Sequence, residues 1–176
     1  IGNWLFKFKK ITMKIYIKKI EAFFFDFDGV ITDNLVYVDE KGKESVSCSR
    51  ADGLAFDVLR KLNKPSFIIS TEKNSVVKIR ANKLKIPVFQ GVLNKVEVIK
   101  KVAYKNKYNH ENILYVGNDL NDYNAMKFCG YSVCPADSHT KIKKISNIIL
   151  KSNGGNGAVR ELLEDILNID FVKVLY

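Results

Sequence analysis

A short apolar run, Ala22-Phe23-Phe24-Phe25, gives way at once to Asp26-Phe27-Asp28-Gly29. Four consecutive apolar residues with no polar alternation describe a strand buried on both faces, which is the habit of parallel sheets. The side-chain period of a strand is two, so Asp26 and Asp28 point to one side if the strand stays regular. Gly29 lets the chain turn away directly after them. Carboxylates at the end of a buried strand are costly unless they are paired, hydrogen-bonded or on a metal. Ligands of open α/β sheets also bind at the carboxyl ends of strands. The pair therefore points to chemistry.

The rest of the chain repeats the pattern of strand and helix. Buried runs are read at Ser66-Phe67-Ile68-Ile69-Ser70, Pro87 to Gln90, Ile113 to Val116, Tyr131 to Cys134 and Ile148 to Leu150. Helical spacing is read from Gly53 to Leu62, from a cap at Asn74 to Leu84, over Lys95 to Tyr104, Asn121 to Phe128 and Gly157 to Leu167. Leu35 to Val38 and Glu44 to Ser49, joined through Asp39-Glu40-Lys41-Gly42-Lys43, read as a hairpin. Such alternation predicts a mostly parallel sheet with helices on both faces. With 176 residues there is room for one domain with a proper core. We set residues 1–18 apart as an extension of uncertain origin, 19–168 as the domain and 169–176 as a C-terminal tail.

Charge and cysteine content narrow the classes. The net charge is +10, but the lysines are spread and no nucleic-acid recognition motif accompanies them. The charge suits an anionic small molecule better. No apolar run reaches the length of a membrane span. Cys48, Cys129 and Cys134 match no common zinc spacing, and the expectation is a reducing, cytoplasmic setting.

Four polar features fall at predicted strand ends: Asp26 with Asp28; Ser70 with Thr71; Lys95; and Gly117-Asn118-Asp119-Leu120-Asn121-Asp122. Phosphoryl transfer needs a nucleophile, a proton donor, cations for phosphate and oxygens for magnesium. In this order the four resemble the haloacid dehalogenase superfamily of phosphatases, over roughly Lys19 to Leu167. The resemblance implies a Rossmann-like fold with a small β-hairpin insertion and no large cap domain. Arg50-Ala51-Asp52-Gly53, Ser70-Thr71-Glu72-Lys73-Asn74, Arg80-Ala81-Asn82-Lys83-Leu84 and the Gly154-Gly155-Asn156-Gly157 loop are similar to its capless branch, which acts on 8- and 9-phosphates of 2-keto-3-deoxy sugar acids.

That resemblance implies the following roles. Asp26 is the nucleophile and Asp28 the general acid and base. Ser70 and Lys95 hold the phosphoryl oxygens. Mg²⁺ sits on Asp26, the Asp28 backbone carbonyl and Asn118, with Asp122 anchoring Lys95 or a metal water. Asn118 departs from the family, which usually has an acid there. Thr71, Glu72, Arg80, Lys83, Arg50, Asp52 and Arg160 are expected to meet substrate, Asp52 being alternatively a cap. Glu72 with Arg80 and Lys83 favours a nine-carbon, sialic-type acid 9-phosphate, and the eight-carbon 3-deoxy-octulosonate 8-phosphate is the alternative. The branch also implies a homotetramer in which the glycine loop and Arg160 approach an adjacent active site. Two rivals remain. A phosphoacceptor receiver domain requires an acid that Ile68-Ile69-Ser70 lacks. A catalytically weak assembly domain of a sugar-acid cytidylyltransferase is compatible with Asn118.

Overall fold

The computed structural model describes residues 15–176. Most of the N-terminal extension set apart above lies outside the described residues. Strand β1 (Ala22–Phe25) is the centre of a six-stranded sheet with β4 (Ser66–Ile69), β5 (Val88–Phe89), β6 (Ile113–Val116), β7 (Tyr131–Cys134) and β8 (Ile148–Ile149). The order is β5-β4-β1-β6-β7-β8, and every pair is parallel. The chain builds outward from β1 through β4 to β5, then crosses back to β6 on the other side. β1 and β6 therefore flank the reversal of strand order, where the connecting loops part and leave a crevice. Between β1 and β4 a small antiparallel hairpin, β2 (Tyr37–Val38) with β3 (Glu44–Ser45), stands out from the domain.

Both faces of the sheet are covered. Phe23 and Phe25 pack with Ile68, Leu114 and Val116 under α1 (Arg50–Lys61), α2 (Ser75–Leu84), α6 (Ala158–Glu161) and α7 (Phe171–Leu175). Phe24 and Tyr115 face the other way, under α3 (Lys95–Asn106), α4 (Tyr123–Phe128) and α5 (Thr140–Ile145). This is why the β1 sequence shows no alternation: the period of two is present, but both sides are dry.

Local signals set most boundaries. Ser49 caps α1 through the Ala51 N–H, and Asn74 caps α2 through that of Val76. The closing helix covers nearly the span read for it, but the α-helical turn of α6 passes into a π-helical turn over Leu162–Ile166. Residues 169–176 do not trail away. They carry α7, whose Phe171 is buried in the core and whose end accepts a hydrogen bond from Lys61 to Leu175 O. Ile15, inside the segment set apart as extension, is buried in the same core. Among the described residues no helix is long and apolar enough to cross a membrane.

Two acids hold the C-terminal part in place. Asp52 is 1% exposed, and its Oδ1 accepts the Arg160 N–H at 2.9 Å, at the start of α6. It is the cap of a helix more than a hundred residues away rather than a pocket residue. Burial pushes its carboxyl up, and the N–H groups of Arg160, Val159 and Gly157 resist. Glu161 accepts from the N–H of Lys151 at 2.8 Å and of Ser152 at 2.7 Å. Burial alone would raise its pKa, but those N–H groups outweigh it and hold it below the ordinary glutamate value. Its contribution is therefore complete above the unfolded pKa, about 4.3, and is lost as pH falls through the lower folded value. Glu161→Gln is expected to cost about 1–2 kcal/mol at pH 7. The gap to wild type in chemical denaturation should narrow below about pH 4. A gap independent of pH would show that the charge is not what binds the loop.

Candidate active site

The site forms where β1 and β6 end. The Asp26 N–H still donates to Val116 O at 2.9 Å, so the nucleophile candidate is the last residue tied into the sheet. Its carboxylate is 3% exposed. Oδ1 accepts the Phe27 N–H at 2.8 Å and pairs with Lys95 Nζ at 2.7 Å. Oδ2 has no protein donor among the described residues. The chain then turns: the N–H groups of Ile31 and Thr32 both donate to Phe27 O, and Asp28 stands half-buried on the turn. Asp26 and Asp28 line one cavity of about 290 Å³ with Asn34, Thr71, Asn118 and the 119–121 loop.

Lys95 is the first residue of α3 and is 3% exposed. Besides Asp26 it binds Asp122 Oδ1 at 2.6 Å. Burial lowers the Lys95 pKa, but the carboxylates of Asp26 and Asp122 more than reverse this, and it is raised. The ammonium is thus fixed beside the nucleophile. Burial and the like charge of Asp122 push Asp26 well up, with Lys95 pulling against them. Asp28 is raised by burial first, then by Glu72, with Lys95 opposing and Glu44 adding to the rise. Geometry rather than titration separates the two acids: Asp26 is ion-paired to Lys95 at the end of the strand, whereas Asp28 stands half-buried on the turn.

Asp122 is fully engaged. Oδ1 takes Lys95 and, at 2.8 Å, the hydroxyl of Tyr115; Oδ2 takes the N–H of Asn118 at 2.9 Å and of Asp119 at 3.4 Å. Four donors fill the lone-pair sites of a carboxylate. Of the two roles read for Asp122, anchor of Lys95 or of a metal water, the geometry takes the first: it orients Lys95 and the loop. Tyr115 was passed over in the sequence. The available signal was a tyrosine in a doubly buried strand, whose hydroxyl needs a partner.

Asn118 answers the test for a cation. It is 6% exposed, and its Oδ1 is buried with no hydrogen-bond partner among the described residues. The Asn118 amide presses on Gly29, whose φ is +78°; a Cβ there would lie 1.8 Å from Nδ2. Gly29 therefore serves both the turn and the packing of Asn118. An orphan buried amide oxygen sharing a cavity with two carboxylates fits a hard, oxygen-seeking cation. Among the described residues no cluster of three acids, histidines or cysteines offers an alternative. Replacing the amide by a carboxylate adds charge at that point, so Asn118→Asp should lower the Mg²⁺ concentration for half-maximal rate. An unchanged requirement would remove Asn118 from the ligand set.

The remaining candidates divide into two groups. Ser70 is buried at the end of β4, its Oγ accepting the Glu72 N–H at 3.0 Å, and Thr71 lines the acid cavity. Glu72 turns one carboxylate oxygen back on its own loop, accepting from the N–H groups of Lys73 at 2.6 Å and Asn74 at 2.7 Å. Arg50, Arg80 and Lys83 instead line a separate cavity of about 540 Å³ with Cys48 and Asp57. Arg160 is held within its own chain, paired to Glu164 at 2.7 Å and lying over Phe171. Gly154 is spent within the chain too: a Cβ on it would lie 2.1 Å from Gly29 O. The glycine loop thus buttresses the turn after Asp26 from behind. A further cavity of about 480 Å³ beside α4 and α5 exceeds the acid cavity in size, but its lining, which includes Tyr123, Lys141 and Lys144, lacks a nucleophile–acid pair.

Known proteins share this fold. Residues 59–162 match the haloacid dehalogenase-like hydrolases. The 3-deoxy-D-manno-octulosonate 8-phosphate phosphatase KdsC of Salmonella typhi is 32% identical over 151 residues, 85% of this chain and 80% of that protein. A protein of Streptomyces avermitilis assigned to the HAD family hydrolases superposes with a TM-score of 0.87 at 38% identity, covering 91% of this chain and 98% of its own. The 3-deoxy-D-manno-octulosonate 8-phosphate phosphatase of Moraxella catarrhalis, in complex with magnesium, phosphate and KDO, gives 0.82 at 29% identity, covering 86% and 88%.

Proposed function

The chain belongs to the haloacid dehalogenase-like hydrolases, and from that premise we propose that it is a Mg²⁺-dependent phosphatase of 3-deoxy-D-manno-octulosonate 8-phosphate. The observation that carries the chemistry is the Asp26–Lys95–Asp122 ion-pair chain opening on a cavity with Asp28 and the orphan oxygen of Asn118. Asp26 attacks phosphorus, the bond to the sugar oxygen breaks, and Asp28 gives that oxygen its proton. Asp28, now ionised, takes a proton from water; the water oxygen attacks phosphorus and the Asp26–phosphorus bond breaks, releasing inorganic phosphate. Lys95, Ser70 and Thr71 hold the phosphoryl oxygens through both displacements. Asp26, the Asp28 backbone carbonyl and Asn118 would hold Mg²⁺, whose charge would offset that of the phosphoryl group.

The eight-carbon substrate replaces the nine-carbon acid favoured by the sequence motif. Glu72, on which that preference rested, uses one carboxylate oxygen to close its own loop, and the KdsC relatives act on the eight-carbon phosphate by name. The test is kcat/KM for both sugar-acid phosphates in wild type and Glu72→Arg. A higher value for the eight-carbon phosphate is expected in wild type. A preference for the nine-carbon ester that Glu72→Arg reverses would restore the earlier assignment, and no turnover of any phosphate ester with Mg²⁺ would favour the assembly-domain reading.

The working form we propose is a homotetramer. Leu35, Val36, Tyr37 and Val38 on the projecting hairpin are each more than half exposed, an apolar stretch that a neighbouring subunit would cover. Light scattering of the purified chain checks it, and a monomer would refute it.

A further inference from the structure

Tyr115 lies in the middle of β6, paired with Phe24 and Ser132 on its two sides. Its side chain is fully buried among residues of α3 and α4. A phenylalanine would fill that apolar space equally well, so the hydroxyl needs an explanation of its own. Its hydrogen bond runs to Asp122 Oδ1 at 2.8 Å, the same oxygen that binds Lys95 Nζ at 2.6 Å. On the other side Lys95 meets Asp26 Oδ1 at 2.7 Å. A buried relay thus runs from strand β6 to the nucleophile: Tyr115, Asp122, Lys95, Asp26. The other oxygen of Asp122 is tied to backbone N–H groups of its own loop. The tyrosine is the donor that reaches Asp122 from the sheet, the most rigid part of the molecule.

We propose that Tyr115 is a positioning residue for phosphoryl transfer, its hydroxyl holding Asp122 Oδ1 where that oxygen keeps Lys95 Nζ aimed at the phosphate. The assignment rests on the phosphatase reading for its consequence in turnover, but its effect on phosphate binding can be measured without turnover. With the hydroxyl gone, Asp122 Oδ1 is free to follow the ammonium. Lys95 then relaxes onto Asp26, where it competes with incoming phosphate for the same side of the carboxylate. The relay reaches the proposed metal ligands only at Asp26 Oδ1 and the Asn118 backbone N–H, and the amide oxygen of Asn118 has no bond in it.

The experiment uses the full chain as wild type, Tyr115→Phe, Asp122→Asn and the double variant. Inorganic phosphate binding in Mg²⁺ is measured by calorimetry, beside kcat/KM on a phosphate ester, the Mg²⁺ half-saturation and the melting temperature. Tyr115→Phe is expected to weaken phosphate binding and lower kcat/KM by about tenfold each, the scale of one hydrogen bond to a charged group. The Mg²⁺ half-saturation should change less than phosphate binding, because the variant meets the metal ligands only indirectly, through Asp26 and the Asn118 backbone. Because the tyrosine acts through Asp122, the double variant should bind phosphate no worse than Asp122→Asn alone. Unchanged phosphate binding in Tyr115→Phe, losses that add in the double variant, or a loss that follows a collapse in melting temperature would each overturn the assignment. A wild type that binds phosphate yet hydrolyses no ester would refute the phosphatase reading alone, and the binding cycle would still decide the role of Tyr115. A wild type that binds no phosphate would refute both.

Discussion

Asp26→Asn should remove at least about a thousandfold of kcat, since an amide cannot act as the attacking carboxylate and nothing nearby replaces it. The substitution is nearly isosteric. Its oxygen can still accept the Phe27 N–H, and Lys95 keeps its partner Asp122. The variant should therefore fold, melt close to wild type and leave the rest of the cavity intact. Asp28→Asn should fail in a different way. Asp28 is needed where the departing oxygen is basic and must be protonated. In the first displacement its loss should weigh heavily on a sugar-alcohol phosphate and lightly on an aryl phosphate, whose phenolate leaves unaided; hydrolysis of the aspartyl phosphate, where Asp28 is the base, should slow for both. Rates of release of the first equivalent of alcohol or phenol by the two variants separate the roles. If Asp26→Asn retained near-normal turnover, or if Asp28→Asn released that first equivalent equally slowly from both, the assignment of nucleophile and acid would be wrong.

The parts of this site that were legible in the sequence are those written locally. A strand buried on both faces announces itself as an apolar run, and each of Asp26, Ser70, Lys95 and Asn118 stands at the end of a run or the start of a helix. Asn74 was readable as a cap because capping is an interaction across two residues. Asp52 was readable as a possible cap, but not the helix that it caps. It caps α6 across a separation of 108 residues, and no local pattern shows that one acid on α1 meets the start of another helix. Tyr115 and Asp122 are only seven residues apart, but their hydrogen bond exists because β6 and the following loop fold the hydroxyl and carboxylate together. Short α5 was missed for another reason: it buries a single isoleucine, Ile142, among lysines, too little for a periodic signal. Arg50, Arg80 and Lys83 were identified among the substrate residues and do converge, but on a cavity separate from the acid one. Helical spacing says which residues share a face and not which cavity the face overlooks.

Lys95→Met should be both inactive and much less stable, and the reason lies in the packing of charge. Asp26 and Asp122 are 3% and 0% exposed, and Lys95 is the cation between them. Removing one member of a buried ionic set costs about 3–5 kcal/mol, because the remaining charges stay desolvated without compensation. In a domain of this size each kcal/mol moves the melting temperature by about 2–4 °C, so a fall of roughly 6–20 °C is expected. Neutralising one of the two stranded acids should recover part of that loss. Lys95→Met with Asp26→Asn leaves Asp122 alone, with Tyr115 and two backbone N–H groups still donating to it. The expected order of melting temperature is wild type and Asp26→Asn together, then the double variant, then Lys95→Met. The dependence on pH should also have a definite sign. Burial raises the Asp26 carboxyl against the pull of Lys95, and without that cation the rise is larger. Lys95→Met should therefore be nearest to wild type at acid pH and lose ground as pH rises through the Asp26 value. Thermal melts of the four proteins across that range measure both effects. A Lys95→Met protein as stable as wild type at neutral pH would mean that the ammonium does not neutralise the site, and the ion-pair chain would have to be abandoned as the source of its order.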